Sequence, residues 1–293
     1  MKKNIIVITG GAGFVGTNLI VLLLKKTKFK IISIDNYSSG SKKNHIKNKR
    51  VSYIKADTKN INYILKNPKN INSIFHFGEF PRIYQSFLNM SECINSNSIG
   101  TNAVFNYCLK NNIKLIYSAT SASLGNKGND KNLSPYAFTK AKNLELLENL
   151  KKWFNFKYEV IYFYNVYGPH QIYKGRMATV IGIFENHFKN KKPLPVVRPG
   201  TQTRRFTHIH DTVNICYMAW RKNLCRHYSI AHKKSYSLIK VAKMFGSKIK
   251  YLAKRPGERY ASALTNMNLS NKVYKHFGRI DLKDYIKNIV NKN

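Results

Sequence analysis

The segment Ile5-Ile6-Val7-Ile8-Thr9-Gly10-Gly11-Ala12-Gly13-Phe14-Val15-Gly16 reads as a strand, a tight turn and the first turn of a helix. Four apolar β-branched or β-favouring residues in a row suit a strand covered on both faces of a parallel sheet. Gly10, Gly13 and Gly16 follow in the spacing G-x-x-G-x-x-G. Glycine lets the backbone turn sharply and approach a ligand where a Cβ would clash. The helix that continues from Thr17 to Lys26 offers unpaired N–H groups and the positive end of its dipole, which suits a pyrophosphate. The backbone of Gly10, Gly13, Phe14, Val15 and Gly16 is therefore the expected cradle. A second strand, Lys30 to Asp35, ends in an acid about 20 residues beyond Gly16, the position that holds a ribose 2′-OH. Its charge disfavours a 2′-phosphate, so NAD is expected ahead of NADP, with Lys42 and Lys43 leaving NADP second. A glycine turn by itself is also compatible with a plain β-turn-α unit that binds nothing.

Outward from that segment, strands and helices alternate. Val51 to Asp57, Ile71 to Gly78, Ile113 to Thr120 and Val160 to Asn165 read as further strands. The pattern predicts an α/β fold, a doubly wound parallel sheet followed by a smaller α/β unit. Asn36 opens a polar loop over the adenosine end. Asp57 has two readings, an adenine ligand or the N-cap of the helix after it. Glu79 is expected to be a solvated loop acid or a partner of Arg82 rather than a group beside the cofactor ring.

The chain has 293 residues and a formal net charge of +38, from 51 basic and 13 acidic side chains. Such a balance raises nucleic acid or an anionic membrane as partners. The lysines, however, are dispersed along the whole chain, often beside asparagine, with no basic arm, so neither partner is expected. A positive field that attracts anionic substrates is. No apolar run is long enough to span a bilayer, and the N-terminus enters the first strand without a signal-peptide pattern. Cys93, Cys108, Cys216 and Cys225 have neither metal-ligand spacing nor a disulfide framework. No metal is expected, and a cytoplasmic setting is.

Tyr136 and Lys140 form a Y-x-x-x-K pair, one helical turn apart on one face. They follow, in order, the glycine turn, the Asp-ended strand and the Thr-ended strand. With these motifs the chain resembles the extended short-chain dehydrogenase/reductases of the NAD-dependent epimerase/dehydratase family, above all those that epimerise UDP-glucose at C4. The resemblance covers nearly the whole length.

It implies a Rossmann domain over residues 1–165, rejoined near 204–230, and a nucleotide-sugar domain over 166–203 and 231–293. It implies Tyr136 as catalytic base, Lys140 as its activator and a cofactor-ribose ligand, and Thr120 as the hydroxyl partner of the sugar. The phenol would take the proton of the 4-OH while a hydride leaves C4 for the nicotinamide, and the 4-keto sugar would turn over before its return. A phenol titrates near ~10, and a nearby ammonium favours its anion.

By the same resemblance Asp57, Phe77, Gly78, Asn97 and Tyr164 line or support the cofactor, and Asn165, Arg204, Arg255 and Glu258 hold the sugar nucleotide. Arg205 is given a structural role, and Asp211 the cap of the following helix. A homodimer is implied through helices around 86–109 and 136–152. The 4,6-dehydratases of the family carry Asp-Glu after the threonine. Here Ser121-Ala122 follow Thr120, which speaks against dehydration. A reductase or dehydratase of the same fold, and a non-catalytic NAD-binding or basic scaffold protein, are the rival readings. The link from Gly125 to Ser134 is shorter than usual for the family, which implies a more open site or a different sugar.

Overall fold

The computed structural model describes residues 3–123, 131–257 and 273–292. Its main sheet has eight strands: β1 (Ile5–Thr9), β2 (Lys30–Asp35), β3 (Val51–Lys55), β4 (Ile71–His76), β5 (Lys114–Thr120), β6 (Tyr158–Phe163), β7 (His227–His232) and β8 (Val273–Gly278). The order is β8-β7-β6-β5-β4-β1-β2-β3, and every neighbouring pair is parallel. The order reverses at β1, between β2 and β4. In open α/β sheets the crevice at such a reversal, outside the carboxyl ends of the strands, is where ligands bind.

The strands are apolar on both faces because both faces are covered. Ile6 and Ile8 of β1 pack with Leu19, Ile20 and Leu23 of the helix Phe14–Lys26 and with Val213 and Cys216 of the helix Ile209–Lys222. Val7, pointing the other way, joins Val104 and Cys108 of the helix Thr101–Lys110 and Leu147 and Leu150 of the helix Pro135–Phe154. A charge of β6 also sits inside this sandwich. Glu159 of β6 is fully buried, pairs with Lys114 at 2.9 Å and accepts the N–H groups of Cys225 and Arg226. It thereby fixes the chain just before β7.

A third cluster is built from Phe184, Leu194, Val196, Phe206, Val241, Phe245 and Ile286. It gathers the helices Val180–Lys189, Leu238–Met244 and Leu282–Val290 and the paired strands Leu194–Val197 and Ile249–Leu252. This is the smaller α/β unit. Within the 231–293 segment, however, Val273–Gly278 returns to the main sheet as its edge strand β8.

Two local expectations change. The helix expected around 86–109 is interrupted: Ile83–Leu88 and Met90–Ile94 lead into a π-helical stretch, Asn95–Gly100, before Thr101–Lys110. Gly100 there meets Thr58, whose hydroxyl would lie 2.4 Å from an added Cβ. Asp211 does not cap the helix Ile209–Lys222; His208 does, accepting the His210 N–H. Asp211 instead accepts the Arg279 and Ile280 N–H groups at 2.9 and 3.2 Å, holding the chain that leaves β8.

At the end of β1 the backbone folds on itself. A Cβ on Gly16 would stand 2.2 Å from the Gly10 carbonyl oxygen and 2.7 Å from Gly11 Cα. Gly16→Ala is therefore expected to lower stability by about 1–3 kcal/mol, the cost of overpacking a tight contact, as read by urea denaturation of the protein without cofactor. A wild-type midpoint for that variant would refute the contact.

Candidate active site

A cleft of about 430 Å³ opens at the reversal point of the sheet. Its floor is the glycine turn: Gly10, Gly13, Phe14, Val15 and Gly16 all line it. Gly10 has φ +71, and its Cβ position lies 2.9 Å from the Phe77 carbonyl and the Gly78 N–H. The ends of β1 and β4 are therefore in backbone contact, and only glycine fits there. Asp35 and Asn36 line the adenosine-side wall. Asp35 accepts the Ala12 N–H at 3.0 Å and the Tyr37 N–H at 2.8 Å. Burial raises its pKa toward the neutral form, and these backbone bonds oppose the shift.

Thr120, Tyr136, Lys140, Asn165 and Arg204 line the same cleft, with Phe77 and Gly78 between them and the glycine turn. The sequence places them there by simple means. Thr120 is the last residue of β5. Ser134 caps the helix Pro135–Phe154, accepting the Ala137 N–H at 3.0 Å, and Pro135 occupies the first turn. That start puts Tyr136 and Lys140 one turn apart and inward. Tyr136 is half-buried and Lys140 buried. The Lys140 ammonium donates to the Ser118 carbonyl at 2.5 Å, lies 4.7 Å above the Tyr117 ring and pairs with Glu79. Burial pulls its pKa down and Glu79 opposes the shift.

That pairing corrects the reading of Glu79 as a solvated or Arg82-bound acid. Its side chain is 3% exposed. Thr101 and Tyr117 each donate to Oε1 at 3.0 Å, and Asn143 donates to it at 3.3 Å. Arg82 turns elsewhere, with Nε and Nη2 on the Met177 carbonyl at 3.0 and 2.6 Å. It still lines the cleft. Burial pulls the guanidinium pKa down while the charge of the Tyr136 phenol raises it, so the two groups share a field. Nothing in the spacing of the sequence marked Arg82 as a cleft cation. Its position follows from the turn after β4.

Other expected site residues lie outside the cleft lining. Asp57 is the N-cap of the turn Thr58–Asn60, accepting the Lys59 N–H at 3.0 Å, and touches Asn36. Asn97 is fully buried and clamps the backbone of Phe80, accepting its N–H at 2.6 Å and donating to its carbonyl at 3.1 Å. It supports the loop that carries Glu79 from behind the cleft lining. Tyr164 is buried in the core cluster with Tyr158 and Tyr162. Arg255 is exposed and stacks on Tyr84 at 4.8 Å. Arg205 donates to the His232 and Lys233 carbonyls, a structural role. Glu258 and most of the short link before Ser134 fall outside the described residues.

Residues 6–231 match the NAD dependent epimerase/dehydratase family. The chain belongs to that family. A putative UDP-glucose 4-epimerase of Methanocaldococcus jannaschii is 27% identical, over 98% of this chain and 97% of its own. The UDP-N-acetylglucosamine 4-epimerase of Methanobrevibacter ruminantium, solved with UDP-N-acetylmuramic acid, shares 25% identity and a TM-score of 0.82, covering 99% of this chain and 97% of its own. The dTDP-glucose 4,6-dehydratase of Streptomyces venezuelae, solved with NAD, has the same fold at a TM-score of 0.86 and 17% identity, covering 98% and 96%.

Members of this family depend on NAD, and the cleft fits it. The glycine turn leaves bare backbone where a phosphate must approach, and the helix behind it begins with N–H groups that have no intrahelical acceptor. Asp35 stands where a ribose diol would be received. Each Asp35 oxygen already accepts one backbone N–H, so an amide in its place cannot serve both. Asp35→Asn is expected to weaken NAD binding by about tenfold or more and to narrow the preference over NADP, measured by calorimetric titration of both dinucleotides. An unchanged NAD-to-NADP ratio would count against the assignment.

Proposed function

We propose that this enzyme epimerises a nucleotide sugar at C4, with NAD used catalytically and a 4-keto sugar as the transient species. The observation that carries the reading is the gathering of Thr120, Tyr136 and Lys140 in the one cleft whose floor is the glycine turn. Bound NAD would supply the hydride acceptor and donor. The chain's own residues handle the proton and the geometry. Tyr136 Oη takes the proton of the sugar 4-OH. A phenol is a weak base at neutral pH, and the cations of Lys140 and Arg82 beside it favour the phenolate. Thr120 Oγ1 orients the same hydroxyl. Arg204, half-buried in the cleft wall, binds the nucleotide phosphates, and Asn165 contacts the sugar nucleotide. Residues 1–165 with about 204–230 then serve the cofactor, and 166–203 with 231–293, apart from the edge strand β8, the sugar.

Ser121 and Ala122 supply neither an acid nor a base after Thr120, which supports epimerisation over elimination of water. Tyr136→Phe is expected to reduce turnover of UDP-glucose or UDP-N-acetylglucosamine by at least ~100-fold, with NAD still found by mass spectrometry in the denatured protein. Wild-type turnover in that variant would end the proposal. A product lighter by one water would replace it with a dehydratase.

Met90, Ile99, Phe138 and Trp153 are exposed apolar side chains on the helical face formed by residues 83–110 and 135–154, and we propose that two copies meet there. Sedimentation should give twice the chain mass, and a monomer at micromolar concentration would exclude it. The four cysteines are free, three of them buried, which supports a reducing compartment such as the cytoplasm.

A further inference from the structure

Lys140 and Glu79 sit at one end of a chain of hydrogen bonds whose directions are all determined. Thr9 Oγ1, at the end of β1, accepts the Phe77 and Gly78 N–H groups at 3.2 and 3.1 Å. Its proton must therefore go to His76 Nδ1, 2.6 Å away. The imidazole, held neutral by burial that lowers its pKa to about 4, then carries its proton on Nε2 and donates it to Thr101 Oγ1 at 2.9 Å. Thr101 in turn donates to Glu79 Oε1. With Tyr117 and Asn143 also donating to that oxygen, Oε1 is saturated and Oε2 is left for Lys140. The ammonium has three N–H groups; Ser118 and Glu79 take two.

We infer that Glu79 is a positioning residue for Lys140: its side chain, aimed by donors from three elements, holds the ammonium so that one N–H remains for the cofactor side of the cleft. The inference rests on the reading that NAD occupies this cleft, and not on the identity of the sugar. Glu79 is also the only carboxylate in reach to balance this buried charge among the described residues. His76 on β4 is neutral, and the Cys93 thiol on Met90–Ile94 is pushed up to about 11. Burial holds the Tyr117 phenol on β5 far above its usual value. Glu92 is paired with Arg176 near the surface, and the remaining neighbours, Arg82 and Tyr136, offer a cation and a phenol. A buried ammonium stripped of its counter-charge gives up its proton more readily.

The test is the affinity of the cofactor-free protein for NAD as a function of pH, which needs no sugar. Wild-type affinity should fall on the alkaline side as Lys140 loses its proton. Glu79→Gln should bring that fall at least about one pH unit lower, while Glu79→Asp, which keeps the charge, should stay within about half a unit of wild type. A fall at the same pH in wild type and Glu79→Gln overturns the inference, whatever the loss in affinity. A shifted fall in a protein that epimerises no sugar would uphold it and sink the proposed reaction instead. Should Glu79→Gln not fold, the double variant Glu79→Gln/Lys140→Met should fold and melt above Glu79→Gln, because both buried charges are then gone. A double variant as unstable as the single one overturns the inference.

Discussion

The contact on which the site depends is backbone against backbone at the carboxyl end of β1. The Gly10 carbonyl lies under Gly16, and the Gly10 Cα lies against the peptide joining Phe77 to Gly78. No side chain intervenes, so two strand ends and a helix start share the space of a few main-chain atoms. That proximity exposes the first N–H groups of the helix Phe14–Lys26 to the cleft. It also brings the end of β4 close enough for Thr9 to accept its Phe77 and Gly78 N–H groups. The phosphate cradle and the polar network toward Lys140 thus begin at one point.

From there the chemistry is set by which charges are answered inside the protein. Lys140 is matched by Glu79, and Glu79 by three neutral donors. Arg82 donates to the carbonyl oxygens of Met177 and Pro81. A salt-paired ammonium and a guanidinium without a carboxylate partner among these contacts therefore flank Tyr136 differently. The first is held in register by a rigid network. The second contributes net positive potential, since a carbonyl dipole offsets less of a charge than a carboxylate does.

The layout of the sheet was legible because it rests on local signals. Ile5 to Ile8, the glycine spacing and Asp35 fix β1, the turn and β2 without reference to anything distant. Ser134 and Pro135 fix the start of the helix that carries Tyr136 and Lys140. Glu79 was misread because its partner is supplied by topology: it follows β4, whereas Lys140 stands 61 positions later, on a helix packed over β5. Charge spacing along the chain cannot show that encounter. Asn97 and Tyr164 were recognised as residues of the right strand and helix, but the sides they face follow from packing. The π-helical stretch Asn95–Gly100 turns Asn97 toward Phe80.

The return of Val273–Gly278 to the main sheet makes the smaller unit an insertion rather than an appendage. The third cluster draws on chain between β6 and β7, between β7 and β8, and after β8. Each of these stretches is joined to a strand of the main sheet, so any hinge must bend at several roots together, which favours shear over free swinging. A fragment ending near His232 would also strip β7 of its outer neighbour and leave a bare, apolar strand rim, the kind of surface on which chains stack and precipitate.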